Sequence, residues 1–148
     1  MKFSLITRHE LLKEIPNYLK LIRNWKYCDW TEENFSYELP LKWDFSFSVY
    51  SNNTLVGFCF ASNKIADVYY IHLLFISPDL RGNLLGYKIL QHAQEIARKH
   101  NIHKLELRCP ESNEQALNFY LKNGFAIKQK IKDDTSGNEM DYYLEFNV

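Results

Sequence analysis

Arg81, Gly82 and Gly86 stand between four large apolar residues, Leu73 to Ile76, and a stretch whose apolar residues recur at helical spacing. A strand that passes through such a turn into a helix presents the helix's first amides outward, and those N–H groups have no partner within the helix. The chemistry on offer is anion holding. A phosphate fits a helix N-terminus, glycine lets backbone come close to it, and Arg81 adds a cation. The pattern G-x-x-x-x-G-K-[ST] is not met, because Tyr87 and Lys88 occupy its last two places. G-x-G-x-x-G is not met either, because Leu84 stands where its second glycine would be. On its own the turn also reads as a plain connection.

The elements that must position this turn follow from periodicity. Phe3 to Thr7 predicts a strand, and Leu11, Leu12, Ile15, Tyr18, Leu19 and Ile22 predict a helix that Pro16 kinks or divides. Thr31 is placed to cap a second helix, with Glu32 and Glu33 in its first turn and Pro40 closing it. Phe45 to Tyr50 and Leu55 to Phe60 alternate around "SNNT" and predict a hairpin. Val68 to Ile76 is apolar almost throughout, the pattern of a strand buried on both faces. After the turn, Ile89, Leu90, Ala93, Ile96 and Ala97 share one helical face. "HKLELRC" predicts a strand, "NEQALNFYLKNGF" a short helix closed by Gly124, and "FAIKQKI" and "MDYYLEF" two last strands. The expected fold is a single α/β domain over 1–148 with a mixed sheet.

Composition narrows the partners. With 148 residues, 46% of them hydrophobic, one packed core is expected. The formal net charge is zero and basic residues are scattered, which argues against nucleic acid. No run approaches the ~18 apolar residues of a membrane span, and the charged N-terminal segment is unlike a signal peptide. Cys28, Cys59 and Cys109 are too widely spaced for a disulfide framework or a zinc site, so no metal and a reducing, cytoplasmic setting are expected.

Two motifs together carry a resemblance. Pro78 and "RGNLLG" after a buried strand are followed, one helix and one strand later, by Asn113, Ala116, Tyr120, Gly124 and Phe125. This combination resembles the GNAT acetyltransferase superfamily, with its R/Q-x-x-G-x-G/A turn and N-x-x-A-x-x-x-Y helix. The match is good from about Phe45 to Phe146. The departure is Leu84, in the place of the turn's first glycine. The resemblance implies a mostly antiparallel sheet, splayed beside the strand Val68 to Ile76 and flanked by helices. It also implies acetyl-coenzyme A as co-substrate and an amine as acceptor, in a monomer or homodimer.

The same resemblance assigns residues. Backbone groups of Leu74, Phe75 and Ile76 would pair with the pantetheine arm. Arg81, Gly82, Asn83, Leu84, Leu85, Gly86 and Tyr87 would hold the pyrophosphate, and Asn113 would contact the coenzyme from the next helix. Tyr120 would be the acid for the departing thiolate; its other reading is a core tyrosine. "LELR" resembles the strand of ribosomal-protein alanine N-acetyltransferases, which makes Glu106 the candidate base. "CPES" makes the path from Glu106 to Asn113 two residues longer than in those enzymes. Two residues keep strand parity, or form a bulge that puts Arg108 in the slot. His72 is the reserve base, and Cys109 is read as structural. The acceptor site would lie between Trp25–Glu33 and Lys132–Glu139, with Trp25, Tyr27 and Trp30 forming an aromatic wall or anchoring the helices. The readings left open are a non-catalytic module on the same fold, another acyl group, or a hydroxyl acceptor.

Overall fold

A computed structural model describes residues 1–132 and 139–148. The chain runs β1 (Lys2–Leu5), α1 (Arg8–Ile22), α2 (Glu32–Ser36), α3 (Lys42–Phe45), β2 (Phe47–Ser51), β3 (Thr54–Ser62), β4 (Tyr69–Ile76), α4 (Leu85–Lys99), β5 (Lys104–Pro110), α5 (Glu114–Lys122), β6 (Ala126–Lys132) and β7 (Met140–Asn147). A single 3₁₀ turn, Pro78–Leu80, links β4 to α4. The strands form one seven-stranded sheet in the order β1-β2-β3-β4-β5-β7-β6, antiparallel throughout except between β4 and β5. This is the expected α/β architecture with a mixed, mostly antiparallel sheet flanked by helices. Among the described residues no helix is long and apolar enough to cross a membrane.

Each sheet face carries its own core. Ile89, Leu90, Ala93, Ile96 and Ala97 of α4 pack against Val49, Cys59, Tyr69, Ile71, Leu105 and Leu107. On the other face, Leu11, Ile15, Tyr18 and Ile22 of α1 and Phe35 of α2 pack against Phe58, Phe60, Leu73 and Phe75. Alternation along the strands makes this possible, because successive side chains go to opposite faces.

Three details differ from the sequence reading. Pro16 leaves α1 undivided; the carbonyl it deprives of a helical donor belongs to Leu12, which is exposed rather than on the apolar face. Phe45 lies in the one-turn α3 rather than in the hairpin, whose first strand starts at Phe47. Finally, Val68 precedes β4, and β4 is buried on both faces only at Tyr69 to Ile71, then alternates.

The short α2 is held by a lysine that composition alone would leave in solvent. Lys42 is 1% exposed. Its Nζ donates to the carbonyls of Asn34 (3.3 Å), Phe35 (2.7 Å) and Tyr37 (2.7 Å), at the end of α2 where orphan carbonyls point. Burial pulls its pKa down to about 8, while the three carbonyls favour the ammonium form.

Candidate active site

The sheet forks in its middle. β4 and β5 pair in parallel only at Tyr69–Leu105, Tyr70–Glu106 and Ile71–Leu107. β4 then continues to Ile76 and β5 to Pro110, each held only by its outer neighbour. At the parting point β4 bulges. Phe60 pairs with Leu73 and Ala61 with Ile71, so His72 is the extra residue of a β-bulge, which re-aims the strand. Beyond it, Leu74, Phe75 and Ile76 face Cys59, Phe58 and Gly57 on one side and have no strand partner toward β5 among the described residues.

The starts of α4 and α5 close the wide end of the fork. α4 has no acidic residue in its first turn and, among the described residues, no side-chain cap, the condition under which helix-start amides can take an anion. Its N-cap is Leu84, at φ −71°, with a side chain turned out to 70% exposure. A negative φ needs no glycine, which is why leucine fits the turn's glycine place. Gly82, at φ +83°, does need its freedom, and open space surrounds the position a Cβ would take. Gly86 has a packing role that the sequence reading did not include. A Cβ there would lie 2.6 Å from Phe119 and 3.3 Å from Ile76 Cδ1, so this glycine lets α4 approach α5 and β4. Arg81 turns back, donating from Nε to the Ile76 carbonyl (2.8 Å) with its guanidinium near the rings of Phe75 and Trp25. Asn113 caps α5, its Oδ1 accepting from the Ala116 amide (3.2 Å).

The two sides of the fork carry different chemistry. β5 sends Leu105, Leu107 and Cys109 to the α4 face, where Tyr120 is 8% exposed among Phe119 and Phe125. Burial, then the nearby Cys109 and Cys59 thiols, push the Tyr120 hydroxyl far above its usual pKa. Glu106 and Arg108 go to the opposite face. Glu106 is 4% exposed, not a surface carboxylate; Tyr143 donates to its Oε1 and Lys128 Nζ stands 3.6 Å from its Oε2. β5 and β7 pair without a break from Lys104–Asn147 to Pro110–Asp141, so the two added residues make no bulge against β7. Arg108 is engaged elsewhere, its Nε 3.1 Å from Asp141 Oδ2.

His72 stands on this second face. Its Nε2 bonds Ser62 Oγ (2.7 Å), and its ring meets Tyr70 edge-on at 4.9 Å. Burial first, then Lys64 and Lys42, lower its pKa to about 4. That weakens it as a base at neutral pH. Trp25 packs on Phe75, Trp30 on Phe35 and Phe60, and Tyr27 donates to the Ser112 carbonyl (3.1 Å), so these rings anchor the first loop. Most of the second expected acceptor loop, 133–138, lies outside the described residues. Sequence reading missed Tyr70 and Tyr143. The only signal was alternation, which puts each on the same face as Glu106 once strand order is known.

A family model described as the acetyltransferase (GNAT) family matches residues 15–125. An uncharacterized N-acetyltransferase of Methanocaldococcus jannaschii is 28% identical over 138 residues, covering 86% of this chain and 61% of that protein. A peptidyl-lysine N-acetyltransferase of Escherichia coli is 35% identical over 82 residues, covering 55% of this chain and 49% of that protein. The chain thus spans about half to three-fifths of the length of these curated relatives. The ribosomal-protein-S18-alanine N-acetyltransferase of Escherichia coli has the same fold, with a TM-score of 0.81 at 18% identity over 99% of this chain and 93% of that one.

Neutral His72 makes stability depend on acid. Its pKa is about 4 in the fold and about 6.5 in the unfolded chain. Below about 6.5 the unfolded chain binds the extra proton, so its contribution, on the order of 3 kcal/mol, is complete above that pH and is lost as pH falls through 4. Urea unfolding between pH 4 and 7 should show this slope, and His72→Gln should flatten it. A slope that His72→Gln leaves unchanged would mean that His72 takes up its proton over the same pH range in the folded and unfolded chain.

Proposed function

The chain belongs to the acetyltransferase (GNAT) family, and on that premise we propose that it moves an acetyl group from acetyl-coenzyme A to a primary amine by direct transfer in a ternary complex. The observation that supports this most is the fork. Among the described residues it offers a β4 edge without a strand partner toward β5 from His72 to Ile76, with the Ile76 carbonyl held by Arg81, and an α4 start without acidic residues. These residues suit an extended amide-bearing arm ending in phosphates, because strand edges take strand-like partners and helix starts take anions. The reading covers 1–148 as one N-acetyltransferase domain. Three free thiols suit a cytoplasmic setting.

The coenzyme supplies an activated thioester. The chain's residues supply proton management on the two sides of the fork. An ammonium has no lone pair, so the acceptor must lose a proton before attack. Glu106 is the base of this reading, reached directly or through Tyr143, whose hydroxyl already donates to it. On the other face, Tyr120 is the donor to the departing sulfur in this reading: burial keeps its Oη protonated, which suits a hydrogen bond to the developing thiolate and opposes outright loss of the proton. The leading amides of α4, Leu85 to Tyr87, take the pyrophosphate, and Asn113 lies at the next helix start.

Leu84→Glu puts a negative charge at the exposed N-cap without touching the core. It should leave the melting temperature nearly unchanged and weaken coenzyme A binding by about tenfold, read by calorimetry. Unchanged affinity would remove the turn from the site. Glu106→Gln should depress turnover most at low pH, where the amine is protonated, with the defect shrinking as pH rises. A pH–rate profile by thiol release tests this, and an equal defect at every pH would make Glu106 structural. Tyr120→Phe should lower turnover by ~10²–10⁴ while coenzyme affinity holds. Turnover within about a factor of two of wild type would assign Tyr120 to packing. Coenzyme binding with no amine accepted would leave a binding module.

A further inference from the structure

A hollow of about 240 Å³ opens on the acceptor face, lined by Trp30, Asn34, Tyr37, Leu39, Lys42 and His72. Its His72 wall is the β4 bulge at the fork. Tyr70, two residues back along β4, is the register partner of Glu106, so along the strand and across the gap the hollow's His72 wall stands ~8 Å from the proposed base, backbone to backbone. Three of its walls are aromatic or aliphatic. Trp30 is fixed edge-on against Phe35 (5.1 Å), and Tyr37 is an exposed lip.

The polar walls exclude a second positive charge. Lys42 brings a cation, but Asn34, Phe35 and Tyr37 carbonyls already take bonds from its Nζ, so it repels cations without offering an anion a free proton. His72 is neutral, and its Nε2 is occupied by Ser62. Among the described residues, no carboxylate lines the hollow. Glu38 acts on Lys42 from outside the lining, but its carboxylate is held by Arg8 Nε and Trp43 Nε1; a buried positive charge with no carboxylate in the lining disfavours polyamines and favours an uncharged ring or aliphatic group. The space is below the usual ~300–1,000 Å³ of a drug-sized pocket, so it suits one side group.

We propose that this hollow selects the acceptor: a primary amine carrying one aromatic or large apolar group about two carbons from its nitrogen, with no second cation. The proposal rests on the transferase reading for the amine's fate, though not for its binding. The amine end points toward Glu106 and the ring sits between Trp30, Tyr37 and Leu39. A free arylalkylamine and the first residue of a peptide share this chemistry.

Asn34→Asp is the sharpest probe. Asn34 Oδ1 accepts from the Thr31 amide (2.8 Å) and Thr31 Oγ1 (3.0 Å), and aspartate accepts both, so α2 keeps its cap while the hollow gains a negative charge. Phenethylamine, a peptide beginning with phenylalanine, and spermidine are titrated into the coenzyme A-loaded protein by calorimetry, and their turnover with acetyl-coenzyme A is read by thiol release. The wild type should bind phenethylamine or the peptide at least about tenfold more tightly than spermidine, and kcat/KM should follow. Asn34→Asp should narrow that ratio at least about threefold, and Tyr37→Ala should weaken the aromatic ligand alone by about threefold. Tighter binding of phenethylamine than of the peptide assigns a free amine, and the reverse assigns a peptide end. Equal or tighter binding of spermidine, or a ratio that Asn34→Asp does not move, overturns the proposal. Selective aromatic binding without thiol release supports the hollow's selectivity and overturns the transferase reading.

Discussion

Parallel pairing between β4 and β5 lasts three residues, and the candidate site depends on its ending there. A parallel pair normally satisfies both strand edges along its length. Here the His72 bulge turns β4 away, and β5 stays in register with β7 instead. The backbone groups this leaves must find partners. The outer strands keep the divergence rigid. β3 holds β4 to its last residue, and β7 holds β5 through Pro110. A fork formed this way is a fixed slot between two supported strands.

The alternation of side chains then gives the slot two unlike walls. Toward α4 it is apolar, and Tyr120 lies there beside two cysteines with its proton held by burial. Toward α1 and α2 it carries Glu106, Tyr70, Tyr143 and His72. In the proposed reading a thioester in the slot has Tyr120 as proton donor on one side and Glu106 as proton acceptor on the other, the pair of services that acyl transfer to an amine draws on. The same face holds the hollow beside α2, one wall of which is Lys42, gathering the carbonyls at the end of that five-residue helix.

Much of the fold was legible in the sequence because local periodicity decides strands and helices. The α4 face read from Ile89 to Ala97 is the buried face, and Gly124, at φ +95°, does close α5. The turn and the N-x-x-A-x-x-x-Y helix were legible as well. What escaped depends on neighbours distant in sequence. The His72 bulge is a register property of two strands. The partners of Glu106 lie 22 and 37 residues away, on Lys128 and Tyr143. The packing of Gly86 against Phe119 depends on a helix one strand later, so spacing alone did not show it. Lys42 drew no notice in the sequence, because nothing local announces three waiting carbonyls.

The central claim is that the β4 edge and the α4 start form one coenzyme site. Amide hydrogen exchange with and without acetyl-coenzyme A tests it most directly. The account predicts slowed exchange confined to the β4 amides from His72 to Ile76 and the turn and helix amides from Gly82 to Lys88, with β1, β2 and β6 unchanged. Slowed exchange at the α4 start without any at β4, or protection only at sites away from the fork, would contradict it.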